Sequence, residues 1–130
     1  MATQSKVTAS LSADVKADIL SKLDSIKKSM DFLISLQPRQ IKSMLKSGNG
    51  YAAFIEKAYN VANEHPEILP GLFGLEEFRN GYQLGKDLTA IGDSINQLAD
   101  SMRDTRLAVN SDALNFALAI YSSVKQNKSR

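Results

Sequence analysis

The feature that most constrains this chain is a set of apolar residues at heptad spacing within residues 84–102. Its members follow one another at intervals of four, three, four, three and four residues: Leu84, Leu88, Ile91, Ile95, Leu98 and Met102. At about 100° per residue they share one side of an α-helix, and Val109 rejoins them. The spacing predicts one long amphipathic helix over residues 75–109, about 45–50 Å in length. We call this set the apolar stripe, and it needs other helices to cover it.

Small residues lie beside the apolar stripe and raise a question about packing. Gly81, Gly85, Gly92 and Ala99 share one side of the predicted helix. Each glycine costs a helix about 1 kcal/mol relative to alanine, so three of them require a packing reason. We consider three explanations: close packing against another helix of the same chain, a face for self-association, and a helix hinge.

The chain before the long helix divides into shorter helices. Ser12 is a good N-cap for a first helix, which is expected to end just before Pro38. Residues 39–46 predict a short helical turn, and a glycine-rich turn signal then precedes another helix. That helix is expected to end at His65, where a positive charge suits the helix dipole, so we assign this histidine a structural role.

The fold class that these elements predict is all-α. After the long helix, Asn110 and Ser111 offer N-cap side chains for a last helix that is apolar around more than half of its circumference. We therefore predict a single-domain antiparallel bundle of four main helices with one short helical turn, over residues 11–126. Residues 1–10 are expected to form a flexible N-terminus and residues 127–130 a flexible basic tail.

Several aromatic side chains do not fit the predicted core faces. Phe32 points away from the apolar side of the first helix, and Phe78 and Tyr82 lie off the apolar stripe. Phe73 belongs to residues 66–74, a segment too apolar for an ordinary solvated loop. These side chains are either covered by neighbouring segments or exposed to a partner or a membrane surface. The candidate interaction surface comprises six residues: Phe32, Phe73, Phe78, Tyr82, Gly85 and Gly92.

The residue types that carry most enzyme chemistry are scarce in this sequence. It has no cysteine and one histidine, and it contains no glycine-rich phosphate loop, HExxH zinc motif or Glu-x-x-His di-iron motif. Asp93, Asp100 and Asp104 share a face of the long helix, but such a charge run is typical of a solvated surface rather than a metal site. We expect no catalytic, metal-binding or cofactor-binding residue, and therefore no enzyme.

The net charge of +2 is distributed unevenly along the chain. Residues 1–46 carry +4, residues 47–112 carry −5 and residues 113–130 carry +3. This alternation suits helices that neutralise one another within one chain or between two copies. It does not suit a nucleic-acid partner, which calls for a continuous basic surface. The sequence has neither a recognisable signal peptide nor a membrane-spanning apolar run, so we expect a cytoplasmic location.

A pattern in the C-terminal half links the chain to a family. The residues that carry it are Asp104-Thr105-Arg106-Leu107, Ser111, Ala113-Leu114, Ala117-Leu118 and Tyr121. In this pattern the chain resembles a group of small bacterial all-helical proteins of unknown function. The resemblance implies a bacterial source and brings no site residue with it. Asn110 stands where that pattern often has glycine, so the turn between the two helices is expected to differ.

These observations favour a non-catalytic interaction module. Such a protein acts through its helix surfaces, either by self-association as a homodimer or by binding an amphipathic helix of another protein. The alternative is a peripheral membrane protein or an apolar-ligand-binding protein. In that case residues 68–73 contact the membrane surface, or a cavity between the helices accepts a hydrophobic molecule.

Overall fold

The computed structural model describes residues 5–44 and 49–128, and this part of the chain contains α-helices, one short 3-10 helix and no β-strand. The all-α class is therefore confirmed. The helices, in chain order, are α1 (Ala13–Ser29), α2 (Pro38–Ser43), α3 (Asn49–Glu64) and α4 (Leu75–Lys128), with the 3-10 helix at Pro66–Ile68 between α3 and α4. The end of the predicted short helical turn, at residues 45 and 46, and the outermost residues of both predicted tails lie outside the described residues.

Local chemistry explains where α1 begins and ends. The Ser12 hydroxyl accepts a hydrogen bond from the Val15 N–H at 3.1 Å, so the predicted N-cap is confirmed. The helix ends at Ser29 and does not continue to Pro38 as predicted. Lys27 and Lys28 occupy its last turn, where positive charge interacts favourably with the helix dipole.

α4 is one uninterrupted helix of 54 residues, so the predicted break at Asn110 and Ser111 is wrong. The sequence predicts Asp112 in the first turn of a new helix, where the helix dipole would stabilise its negative charge. In the structure its Oδ2 instead accepts hydrogen bonds from the backbone N–H of Lys6 at 2.8 Å and of Val7 at 3.3 Å. The polar residues that predicted a helix start thus lie inside α4, and one of them, Asp112, holds the N-terminal segment at Lys6 and Val7.

The chain divides into two compact units. The first comprises residues 1–32 and 94–130, and the second comprises residues 33–93. The predicted helical domain over residues 11–126 spans parts of both units and stays a prediction. Among the residues that the structure describes, Ala62 is the one buried apolar residue, at 3% exposure. Neither unit therefore has a substantial core of its own.

In the second unit, α3 packs against the beginning of α4 through aromatic rings and a polar bridge. The Tyr59 ring stacks on Tyr82 with centroids 4.0 Å apart, and it meets Phe78 edge-on at 5.7 Å. Arg79 Nε donates to Asn63 Oδ1 at 2.6 Å. Because later residues of α3 lie beside earlier residues of α4, the two segments run antiparallel.

Candidate functional site

The apolar stripe of α4 is exposed over most of its length. In the second unit Leu84 and Ile91 are exposed, whereas Leu88 is half-buried. In the first unit Ile95 is 46% exposed, and Leu98 and Met102 exceed half exposure at 58% and 56%. A stripe with this spacing is stable in water only when another apolar surface covers it.

The remaining helical surface of the first unit is apolar and exposed as well. On α1 four apolar residues at helical spacing, Val15, Ile19, Leu23 and Ile26, are between 39% and 47% exposed. The C-terminal part of α4 exposes a further set of large side chains: Leu114, Phe116, Leu118, Ile120, Tyr121 and Val124. Two helices cannot enclose apolar faces on this scale, because each helix covers only one side of the other.

The total exposed area of the chain is also larger than that of a compact monomer of the same mass. The chain, of 14.2 kDa, exposes 11657 Å². A folded monomer of this mass is expected to expose about 6,800 Å². The difference is several times the roughly 800 Å² that each partner contributes to a standard protein interface. The chain therefore exposes much surface that a compact monomer of this mass would bury.

The glycines Gly81, Gly85 and Gly92 of α4 lie beside open space. A Cβ atom added at any of them would meet no atom of the described residues within 4 Å. Close packing against another helix of the same chain, one of the three explanations for these glycines, is therefore wrong for this structure. The face for self-association stays a prediction.

Replacing Gly85 and Gly92 by alanine is expected to raise the stability of the isolated chain. The added methyl groups enter open space, and each removes about 1 kcal/mol of helix penalty. We expect the free energy of unfolding of G85A/G92A to rise by about 1–2 kcal/mol in urea titrations at low protein concentration. A decrease would mean that both positions are packed against a neighbour.

Tyr82 and Gly85 line an open groove between α3 and α4. Its volume is about 740 Å³, and its walls come from residues 52–56 of α3 and residues 81–93 of α4. Glu56, Lys86 and Asp93 place charges of both signs along it. The groove therefore brings together two of the predicted surface residues, Tyr82 and Gly85, in a lining that is partly apolar and partly charged.

Phe73 and Phe78 line a second opening, which we call the apolar hollow. It has a volume of about 660 Å³ and is formed by eight residues: Ala58, Val61, Ala62, Leu69, Phe73, Gly74, Glu77 and Phe78. The two phenylalanine rings meet edge-on with centroids 6.1 Å apart. In the same connection between α3 and α4, the Leu72 side chain is fully exposed. The hollow and Leu72 together form an unfilled apolar surface.

The predicted surface residues thus fall into separate groups. The rings of Phe73 and Phe78 contact each other, and Tyr59 links Phe78 to Tyr82. Tyr59 was not predicted from the sequence. Phe32 belongs to the first unit and is 48% exposed, so the connecting segment that follows it leaves it open. Spacing along α3 did not reveal Tyr59 because it lies beside the most regular apolar positions.

The contact of Asp112 with the N-terminal segment was also not predicted from the sequence. Asp112 is 5% exposed, and its Oδ1 is buried without a hydrogen-bond partner among the described residues. Its partners Lys6 and Val7 are more than one hundred positions away in the sequence, so no local pattern could have revealed them. Within the described part of the chain, no group of three histidine or acidic residues is placed to hold a metal ion.

Comparisons of the chain with protein-family models, with curated proteins and with solved structures find no match. The resemblance to small bacterial helical proteins therefore stays a prediction. Over residues 5–44 and 49–128, no helix combines the length and the apolar character needed to cross a bilayer. The surfaces described above are accordingly the basis for any functional argument.

Proposed function

We propose that this chain is a non-catalytic self-association module in which helices of two copies complete one antiparallel bundle. The observation that carries the proposal is the exposure of the apolar stripe at Ile95, Leu98 and Met102. These side chains have the spacing of a helix–helix interface but lack the partner that such spacing requires. A second copy supplies an identical stripe.

The composition of the first unit supports a dimer in particular. It consists of α1 and the second part of α4, and both helices carry exposed apolar side chains. Two copies together provide enough long helices for a four-helix bundle, in which each helix has neighbours that cover its apolar side. A symmetric pair also uses the same surface twice, so no second kind of partner is needed.

A membrane surface is a weaker candidate partner for the apolar connection at residues 68–73. Four acidic residues flank this connection on α3, the 3-10 helix and α4: Glu64, Glu67, Glu76 and Glu77. Anionic lipid headgroups attract basic segments and repel acidic ones. The charge pattern therefore favours a protein partner over a lipid surface.

The experiment that tests self-association is thermal unfolding at a series of protein concentrations. When only the associated form is well packed, mass action raises the unfolding midpoint as concentration increases. We expect the midpoint to rise steadily across a hundredfold concentration range, followed by circular dichroism at 222 nm. A midpoint independent of concentration would contradict the proposal.

A further inference from the structure

We propose that two copies associate in antiparallel orientation, with the C-terminal turns of α4 of one copy docked on the apolar hollow of the other. This inference rests on the proposed self-association and names the orientation and the surfaces that meet. It is carried by three observations: the chemistry of the hollow, the chemistry of the end of α4, and the order of charges along that helix.

The apolar hollow offers an apolar floor and an acidic edge. Val61, Leu69 and Phe78 are among its apolar lining residues, and Glu77 is its one acidic lining residue. Glu64, the last residue of α3, adds a carboxylate at the end of the helix whose residues Ala58, Val61 and Ala62 line the hollow. A segment that fits this surface has exposed apolar side chains followed by positive charges.

The C-terminal turns of α4 have this chemistry. Phe116, Ile120 and Val124 recur on one side of the helix and are between 43% and 65% exposed. Lys125 and Lys128 occupy the last turn, and residues 113–130 contain no acidic side chain. This end of the helix therefore combines apolar anchors with positive charge.

The order of charges along α4 specifies the antiparallel orientation. Glu76 and Glu77 lie in its first turn, and Lys125 and Lys128 in its last. Antiparallel pairing places the acidic first turn of each copy near the basic last turn of the other, whereas parallel pairing places like charges together. Opposed helix dipoles favour the same arrangement. Each copy then provides one hollow and one helix end, so the two contacts are equivalent by symmetry.

The test reverses the charges on each side separately and then combines the two variants. The hollow variant is E64K/E77K, which leaves Glu76 in place because its carboxylate pairs with Arg79. The helix-end variant is K125E/K128E. Because like charges then meet in each homodimer, we expect the dimer dissociation constant of each variant to rise at least about tenfold. An equimolar mixture of the two is expected to form a heterodimer, measured by analytical ultracentrifugation with one variant fluorescently labelled.

The control variant is D18K/D31K, which changes the net charge as much as E64K/E77K does. Asp18 forms an exposed ion pair with Lys22, and Asp31 follows the end of α1; neither is among the residues that line the hollow. We expect its dissociation constant to equal that of the original chain. Recovery of assembly on mixing shows that both charge-reversed proteins are folded.

The outcomes separate this inference from the proposed function. A monomeric original chain would overturn both. A dimer that is equally stable after either charge reversal, or a mixture that does not recover assembly, would overturn the docking and leave self-association standing. Binding of the original chain to zwitterionic phosphatidylcholine vesicles, with loss of binding on replacement of Leu72 and Phe73 by serine, would assign the connection beside the hollow to a lipid surface and also overturn the docking.

Discussion

Replacing Leu98 and Met102 by lysine is expected to convert the associated protein to a monomer. Both side chains are more than half exposed in a single copy, so lysine at these positions removes little packing within the chain. In a dimer the same substitutions place four charges in an apolar interface. Burying such a side chain completely is worth about 1.5–3 kcal/mol, and a little more than half of each one is left to bury, so the four together contribute at least about 3 kcal/mol. The dissociation constant is then expected to rise by at least about two orders of magnitude.

A matched control tests whether the position of the new charges on α4, rather than the added charge itself, prevents association. Q97K/S101K introduces the same charge at the same spacing, one residue earlier along α4 and therefore about 100° around the helix. We expect this variant to associate like the original chain, and L98K/M102K to sediment as a monomer at all concentrations tested. Equal association of both variants would show that the apolar stripe is not the interface.

Replacing Asp112 by alanine is expected to release the N-terminal segment from α4. The substitution removes the oxygen that accepts hydrogen bonds from the N–H groups of Lys6 and Val7. Loss of hydrogen bonds to a buried charged group typically costs about 1–3 kcal/mol, and we expect the free energy of unfolding to fall within that range. Amide hydrogen exchange at Lys6 and Val7 is expected to accelerate at least about tenfold.

Asp112→Asn is the control for this substitution. It keeps an acceptor oxygen of the same reach, and its amide nitrogen can occupy the position of the buried Oδ1. We expect exchange at the two amides to be slower in D112N than in D112A. Exchange that is unchanged in D112A would mean that the N-terminal segment is held by contacts other than this carboxylate.

Local patterns in the sequence predicted the helical class and several helix ends correctly. The N-cap at Ser12 and the start of α2 at Pro38 each depend on residues only a few positions apart in the sequence. The predicted break at Asn110 failed because local polarity does not reveal a distant partner. The Asp112 carboxylate accepts hydrogen bonds from residues more than one hundred positions away, and these bonds are compatible with an uninterrupted helix.

The candidate site was predicted less completely than the fold class. The spacing of the apolar stripe identified Leu98 and Met102 as residues that other helices must cover, and the sequence analysis expected helices of the same chain to do so. In the structure both side chains are more than half exposed, and the space beside Gly85 and Gly92 is open, so the proposal places the covering helix in a second copy. Tyr59 was missed because its role depends on the antiparallel packing of α3 against α4.

The measurement that tests the central claim most directly is the absolute molar mass in solution. Light scattering on a sizing column, over a wide range of loading concentrations, reports this mass without assumptions about shape. The account predicts a mass of twice 14.2 kDa at high concentration, decreasing towards 14.2 kDa only on strong dilution. A mass of 14.2 kDa at every concentration would contradict it.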